Sequence, residues 1–194
     1  MDCTNLISVS LPKVTALYYA FANCISLESI NLPKVTAIYN YAFAGCTGLT
    51  SVDMPNLETI GSNAFAGCTS LTSVGFSKAK TIYNYAFSNC TNLTSVSLPN
   101  VASIYNYAFI SCTGLISINL PKITAIYSYA FNRCTKLCSI YLGNSSVCTL
   151  ANSNAFSSTC IGSNKGSIFV PTSLVASYKA ATNWVYFSNR IFGI

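Results

Sequence analysis

Cysteine recurs in this chain at positions 3, 24, 46, 68, 90, 112 and 134, and every interval is 22 residues except the first, which is 21. Self-similarity at one fixed period of this length marks a solenoid, in which each repeat forms one coil stacked on the next. The apolar residues keep the same register. Coil 2 reads Cys24, Leu27, Ile30, Leu32, Val35, Ile38, Ala42 and Phe43; coil 5 reads Cys90, Leu93, Val96, Leu98, Val101, Ile104, Ala108 and Phe109; coil 6 repeats the order from Cys112 to Phe131. No amphipathic helix has apolar residues at these intervals, whereas the inside of a coil does. A coil cannot stand alone. Ordering its 22 residues costs roughly 1–2 kcal/mol each, and its eight inward side chains return only ~2 kcal/mol apiece. Stacking must supply the difference, so the coils form one cooperative array.

Within a coil, Ser29-Ile30-Asn31-Leu32 alternates polar and apolar residues with period 2, which predicts a half-buried strand with Ile30 and Leu32 inward. Pro33, lacking an N–H, ends it. A second short extended piece, Val35 to Ile38, precedes a helical turn around Ala42-Phe43. Strands of successive coils are expected to lie parallel, ~4.8 Å apart, in a sheet running along the solenoid. The recurring Leu-x-Ser-Ile/Val-x-Leu-Pro followed by Ile-x-x-x-Ala-Phe-x-x-Cys resembles the BspA-type leucine-rich repeats, from residue 3 to about 171. The resemblance implies a strand-rich α/β solenoid, right-handed, with a parallel sheet on the concave face and short helical turns on the convex side. It also implies a surface-exposed or secreted protein that adheres to host proteins or glycans.

The expected organisation is a solenoid over residues 1–171, about seven coils and a degenerate last one, followed by a C-terminal cap over 172–194. Coil 7 is irregular: it carries an insertion through Gly143-Asn144-Ser145-Ser146 and extra cysteines at 138 and 148, and resumes at Asn154-Ala155-Phe156. Cys160 opens the degenerate coil, whose strand is Ser167-Ile168-Phe169-Val170-Pro171. Beyond it, Leu174, Val175, Tyr178, Ala181 and Trp184 fall near helical spacing and predict an amphipathic helix over the open end of the core. Coil 1 has no such cover for Leu6, Val9, Leu11 and Phe21, so either upstream sequence or end-to-end self-association is expected there.

Charged residues make up only 7% of the chain, mean hydropathy is +0.47, and nothing from Thr81 to Pro121 is charged. Membrane insertion is still not expected, since the longest apolar run, Ala16 to Ala22, is far short of the ~20 residues that span a bilayer. The formal charge of +6 comes from ten Lys/Arg against Asp2, Glu28, Asp53 and Glu58, thinly spread, and argues against nucleic acid as a partner. Met1-Asp2 runs straight into the first repeat without a secretory leader, which suits a cytoplasmic protein or the C-terminal part of a longer one; the family resemblance points to the cell surface or the extracellular space. With no histidine, no Ser-His or Cys-His pair can form, and Glu28 with Asp53 on adjacent coils is the one conceivable carboxylate pair. A non-catalytic chain without cofactor is expected. Cysteines spaced one coil apart do not converge as zinc ligands do and read as small inward-packing residues. Cys138 and Cys148 differ, and a disulfide between them would require an oxidising compartment.

Two surfaces are candidates for recognition. Tyr39/Tyr41, Tyr83/Tyr85, Tyr105/Tyr107 and Tyr127/Tyr129 hold the same two positions of their coils, between an inward Ile and an inward Ala, so alternation sends the rings outward. Coil 3 has Gly61 and Asn63 there instead. Stacked coils would align the rings, either to stiffen this flank or to bind sugar rings or a protein partner. On the strand face, a uniform row of serines runs beside the varied row Ser10, Asn31, Asp53, Gly75, Ser97, Asn119 and Tyr141. Any specificity on that face belongs to the varied row, with Tyr141 as an anchor. Lys13, Lys34, Lys78 and Lys122 form a spaced basic edge that either attracts anionic glycans or keeps a long sheet soluble. The function expected is adhesion to, or recognition of, a protein or glycan on another surface; the alternative is a rigid spacer that displays another domain.

Overall fold

The structure, a computed structural model, describes residues 3–194. Each of seven coils contributes two short strands, and all strand pairs are parallel and one coil apart, as in Ser29↔Ser51 and Ile38↔Ile60. The first strand of each coil is the alternating segment, Ser29–Asn31 in coil 2 and Ser117–Leu120 in coil 6, with its apolar residues inward. The second is two residues long, Ala37–Ile38 in coil 2. The second strands form one continuous seven-stranded sheet. The first strands, expected in one sheet, form two. Coils 1 to 3 make a three-stranded sheet, and a six-stranded sheet begins in coil 4. The break lies between Ser51–Asp53 and Ser73–Gly75. There coil 4 places Gly75 on the strand, and the bulkier Phe76 where other coils have Leu32, Leu98 or Leu120.

After the second strand the chain turns tightly rather than forming a helix. In coil 2 the Ala44 N–H donates to the Tyr41 C=O and the Cys46 N–H to the Phe43 C=O, each at 3.2 Å, while the Phe43 N–H reaches Ala64 C=O of the next coil at 2.8 Å. Backbone polarity is thus satisfied both within the coil and between coils. Only coil 7 closes with a 3-10 helix, Ser153–Phe156, whose first turn is capped by Asn152 Oδ1 accepting from the Asn154 N–H at 3.0 Å.

All eight inward positions of coils 2 and 6 are buried, and in coil 5 only Val96 is partly open. Two spines run through this core. Phe21, Phe43, Phe65, Phe87, Phe109, Phe131 and Phe156 stack in succession with centroids 5.2–5.7 Å apart. Beside them, the thiols of Cys46, Cys68, Cys90, Cys112 and Cys134 each donate to the phenylalanine carbonyl one coil back, at 2.9–3.2 Å. Cys3 departs from this spine. It is exposed, because among the described residues no coil lies outside it.

The C-terminal end is covered, but not by the single helix expected. The helix is Val175–Ala180; the chain then extends at Ala181, turns at Asn183 (φ 64) and continues as the 3-10 helix Trp184–Arg190. The break serves an edge. Asn183 Nδ2 donates to the carbonyls of Leu150 and Ala151 at 2.8 and 3.1 Å, covering the last short strand. Tyr178 and Trp184 are fully buried; Tyr178 Oη accepts from the Cys148 N–H at 2.9 Å, and Trp184 Nε1 donates to the Cys148 C=O at 2.7 Å. Finally Ile191–Gly193 returns as a strand beside Ser167–Val170. The irregular cysteines also sort differently from expectation. Cys138 is bonded to Cys160, 22 residues on and one coil away, while Cys148 is a buried free thiol under the cap. The cap's hydrogen bonds hold the Cys148 backbone inward, whereas Cys138 and Cys160 approach to a Cα–Cα distance of 4.7 Å, within reach of a disulfide.

Candidate functional site

The tyrosines form two external columns. In the first, Tyr83, Tyr105 and Tyr127 stack with centroids 5.4 and 4.6 Å apart; in the second, Tyr85, Tyr107 and Tyr129 stack at 4.8 and 4.9 Å. Both columns resume beyond coil 3: Tyr39 stacks on Tyr18 at 4.1 Å and Tyr41 on Tyr19 at 5.5 Å. Tyr18 and Tyr19 were not legible as members, because coil 1 is one residue short and its tyrosines are adjacent. The one-residue deficit in the cysteine interval is the signal that places them.

The rings do face outward, but strand alternation is not the cause for the second column. Tyr41, Tyr85, Tyr107 and Tyr129 have φ of 58–59°, in the left-handed region. Asn63 takes the same conformation in coil 3 at φ 57°. Asparagine tolerates this backbone, whereas for a bulky aromatic residue it costs on the order of 1–2 kcal/mol. The chain therefore places tyrosine repeatedly where local backbone preference opposes it. Stacking between neighbouring rings, roughly 0.5–1.5 kcal/mol per pair, is of the size needed to offset that cost. Ring edges and hydroxyls remain open: Tyr41, Tyr83 and Tyr85 are about 40% exposed. Burial together with the neighbouring Tyr85 and Tyr129 phenols raises the pKa of Tyr107 above the ordinary tyrosine value.

The residues singled out on the strand face are not brought into one site. Asn31 and Asp53 are register partners on the three-stranded sheet and line a shallow hollow of about 410 Å³. Asn119 and Tyr141 are register partners on the six-stranded sheet. Tyr141 does not stand alone there. Its ring stacks on Phe169 at 4.7 Å, and Phe169 lies 6.2 Å from Phe192. The alternation of Ser167–Val170 is the signal for Phe169, while Phe192 joins only because the chain end returns to the sheet. The basic edge is tied into a side-chain ladder: Lys78 Nζ and Lys122 Nζ donate to Asn56 Oδ1 and Asn100 Oδ1, both at 2.7 Å. Lys78, Lys80, Lys122 and Glu58 line a cavity of about 500 Å³ beside it.

Four thiols of the spine are chemically quiet. Burial pushes the Cys46 and Cys90 thiols up to about 12 and raises Cys68 and Cys112 well above the ordinary thiol value. A thiol held protonated is neither nucleophile nor metal ligand at neutral pH. Among the described residues no group of three or more His, Cys, Asp or Glu lies close enough to hold a metal ion, and no helix is long and apolar enough to cross a membrane.

The family model for the BspA type leucine rich repeat region matches six copies, over residues 1–79, 17–122 and 58–173. The chain belongs to the BspA-type leucine-rich-repeat family. Its coils are similar in structure to a leucine-rich repeat protein from Eubacterium ventriosum, 25% identical over 73% of this chain and 44% of that one, with a TM-score of 0.56. A leucine-rich repeat protein of T. pallidum is 28% identical over 71% of this chain and 59% of that one, with a TM-score of 0.49. One from Bacteroides ovatus is 22% identical over 87% and 56%, with a TM-score of 0.44. This chain thus spans roughly half the length of these solved leucine-rich repeat proteins. Among curated proteins none matches its sequence.

Proposed function

We propose that this chain is a non-catalytic binding module that recognises a protein or glycan on another surface through its tyrosine columns. The observation that carries the reading is the repeated tyrosine at a left-handed backbone position, where asparagine would fold at lower cost. Partly exposed aromatic rings held in a fixed array present large contact area with little side-chain entropy left to lose on binding. The disulfide between Cys138 and Cys160 supports action in an oxidising compartment, at the cell surface or outside the cell. The spacer reading draws on the same stacking, since columns of rings also stiffen a rod.

The two readings separate in one experiment. The purified chain is screened against arrays of host extracellular proteins and glycans, and the double variant Tyr105→Ser with Tyr107→Ser is compared with the wild type. Recognition through the columns predicts that the variant loses binding altogether while it remains folded, its stability lowered by no more than the four lost stacked contacts supply, about 2–6 kcal/mol. Binding intact with a collapse in stability would show the columns to be structural.

A further inference from the structure

The first tyrosine column is missing one ring, at Gly61 in coil 3. The space over Gly61 is an open slot of about 310 Å³, lined by Tyr39, Asn40, Thr59, Gly61, Ser62 and Tyr83. Each tyrosine wall is braced from behind: Tyr39 stacks on Tyr18 at 4.1 Å with 8° between the planes, and Tyr83 stacks on Tyr105 at 5.4 Å. Their other faces border the slot. Gly61 is its buried floor, and no larger residue fits, because a Cβ would lie 2.7 Å from the Tyr39 carbonyl carbon and 2.9 Å from Asn40 N. The chain therefore cannot fill the gap from its own coil.

We infer that this slot is a binding site for a neutral hexopyranose ring of a glycan, sandwiched between Tyr39 and Tyr83; the inference rests on the tyrosine columns being the recognition face. Three observations select that ligand. The first is width. Neighbouring rings of this column stack 5.4 and 4.6 Å apart, so two coil steps set the walls about 10 Å apart. A flat aromatic ring in contact with both walls needs only about 7 Å, whereas a puckered pyranose with axial C–H bonds on both faces needs about 9 Å. The second is charge: the six lining residues include no acidic or basic side chain, so nothing there rewards an anionic sugar. The third is the polar rim. Asn40 Oδ1 accepts from the Ser62 N–H at 3.1 Å, which orients the amide; its NH2 group has no partner among the described residues and is left to donate to a sugar hydroxyl, beside the Thr59 and Ser62 hydroxyls. Apolar walls with a few oriented polar groups are the usual make-up of a small-ligand site.

The test is titration of the whole chain with the neutral tetrasaccharides cellotetraose, maltotetraose, mannotetraose and β-1,4-galactotetraose, read by ligand saturation-transfer NMR. N-acetyl-tyrosinamide serves as the flat-ring competitor. At least one tetrasaccharide is expected to bind in the millimolar range, with affinity reduced tenfold or more in Tyr39→Ser and in Tyr83→Ser and unchanged in Tyr186→Ser, an exposed tyrosine of the cap outside both columns. Should either wall variant fail to fold, amide shifts in the wild type decide: movement centred on Gly61 and Ser62 supports the slot, and movement elsewhere overturns it. Preference for the tyrosine amide, or no binding of any tetrasaccharide, also overturns it. The broader reading fails separately. If array partners are found that depend on Tyr105 and Tyr107 while no tetrasaccharide binds, the recognition face stands and the slot falls; if no partner is found either, both fall.

Discussion

Two sets of aromatic rings climb this solenoid at the same pitch, one inside and one outside, and they differ in what they tolerate. The phenylalanines stack through every coil from Phe21 to Phe156, coil 3 included. The tyrosines stack just as closely but stop at Gly61 and Asn63. An interior ring is held by contacts on all sides, so deleting one leaves a cavity that neighbours cannot close. A surface ring leaves a notch that water or a ligand fills. The interruption is therefore possible only outside, and the same difference makes the two spines answer differently to substitution.

The largest effect belongs to the interior. Phe87 is fully buried between Phe65 and Phe109, with Phe76 also against it. Phe87→Ala is expected to cost about 3–5 kcal/mol in chemical denaturation. A loss below about 1.5 kcal/mol would mean that the coils slide together over the gap, and that the inner spine is no less forgiving than the outer one.

The cysteines test a smaller part of the same interior. Cys90→Ala removes one buried sulfur and the S–H bond to the Phe65 carbonyl, which keeps the Cys68 N–H at 3.2 Å as its other donor. A cost of about 1 kcal/mol is expected at neutral pH. The pH dependence carries more information. Burial raises the folded Cys90 thiol from 9.0 to about 12, so above pH 9 the unfolded chain loses a proton that the folded chain retains. The stability this proton contributes is complete below pH 9 and is lost as pH rises towards 12. Cys90→Ala lacks that loss, so its deficit against wild type should shrink between neutral pH and about pH 10.5. A constant deficit would mean that the thiol is not desolvated in the folded state.

How much of this was readable from residues alone follows the same division. The inward register of coils 2, 5 and 6 was legible because burial imposes one residue class at one spacing, and Val96 is its one partly open member. The tyrosine columns were legible as repeated positions, but their left-handed backbone was not, since tyrosine gives no sign of a conformation that asparagine usually takes. The partner of Cys138 depended on how the irregular coil 7 folds. Its insertion hides the 22-residue relation to Cys160, and the cap's claim on the Cys148 backbone comes from Tyr178 and Trp184, thirty or more residues away. The sheet break before coil 4 had a visible correlate in Gly75 and Phe76, yet each change alone is compatible with a continuous sheet. Local spacing carried the coil, and pairwise distances between departures from the spacing did not follow from it.

The smallest expected effect is also the sharpest separation of the two spines. Tyr107→Asn gives coil 5 the residue that coil 3 has at Asn63, in the same left-handed conformation. The substitution forfeits two stacked contacts, with Tyr85 at 4.8 Å and Tyr129 at 4.9 Å, worth roughly 0.5–1.5 kcal/mol each. Against this, asparagine relieves a backbone cost of about 1–2 kcal/mol. The two largely cancel, so stability should change by something between a gain of about 1 and a loss of about 2 kcal/mol, a shift of a few degrees in the thermal midpoint. Binding of any partner found on the arrays should weaken by far more than that. A stability loss above about 3 kcal/mol would place the outer rings in the same class as Phe87 and favour the spacer. A neutral change in both stability and binding would leave the repeated choice of tyrosine over asparagine without a physical cause.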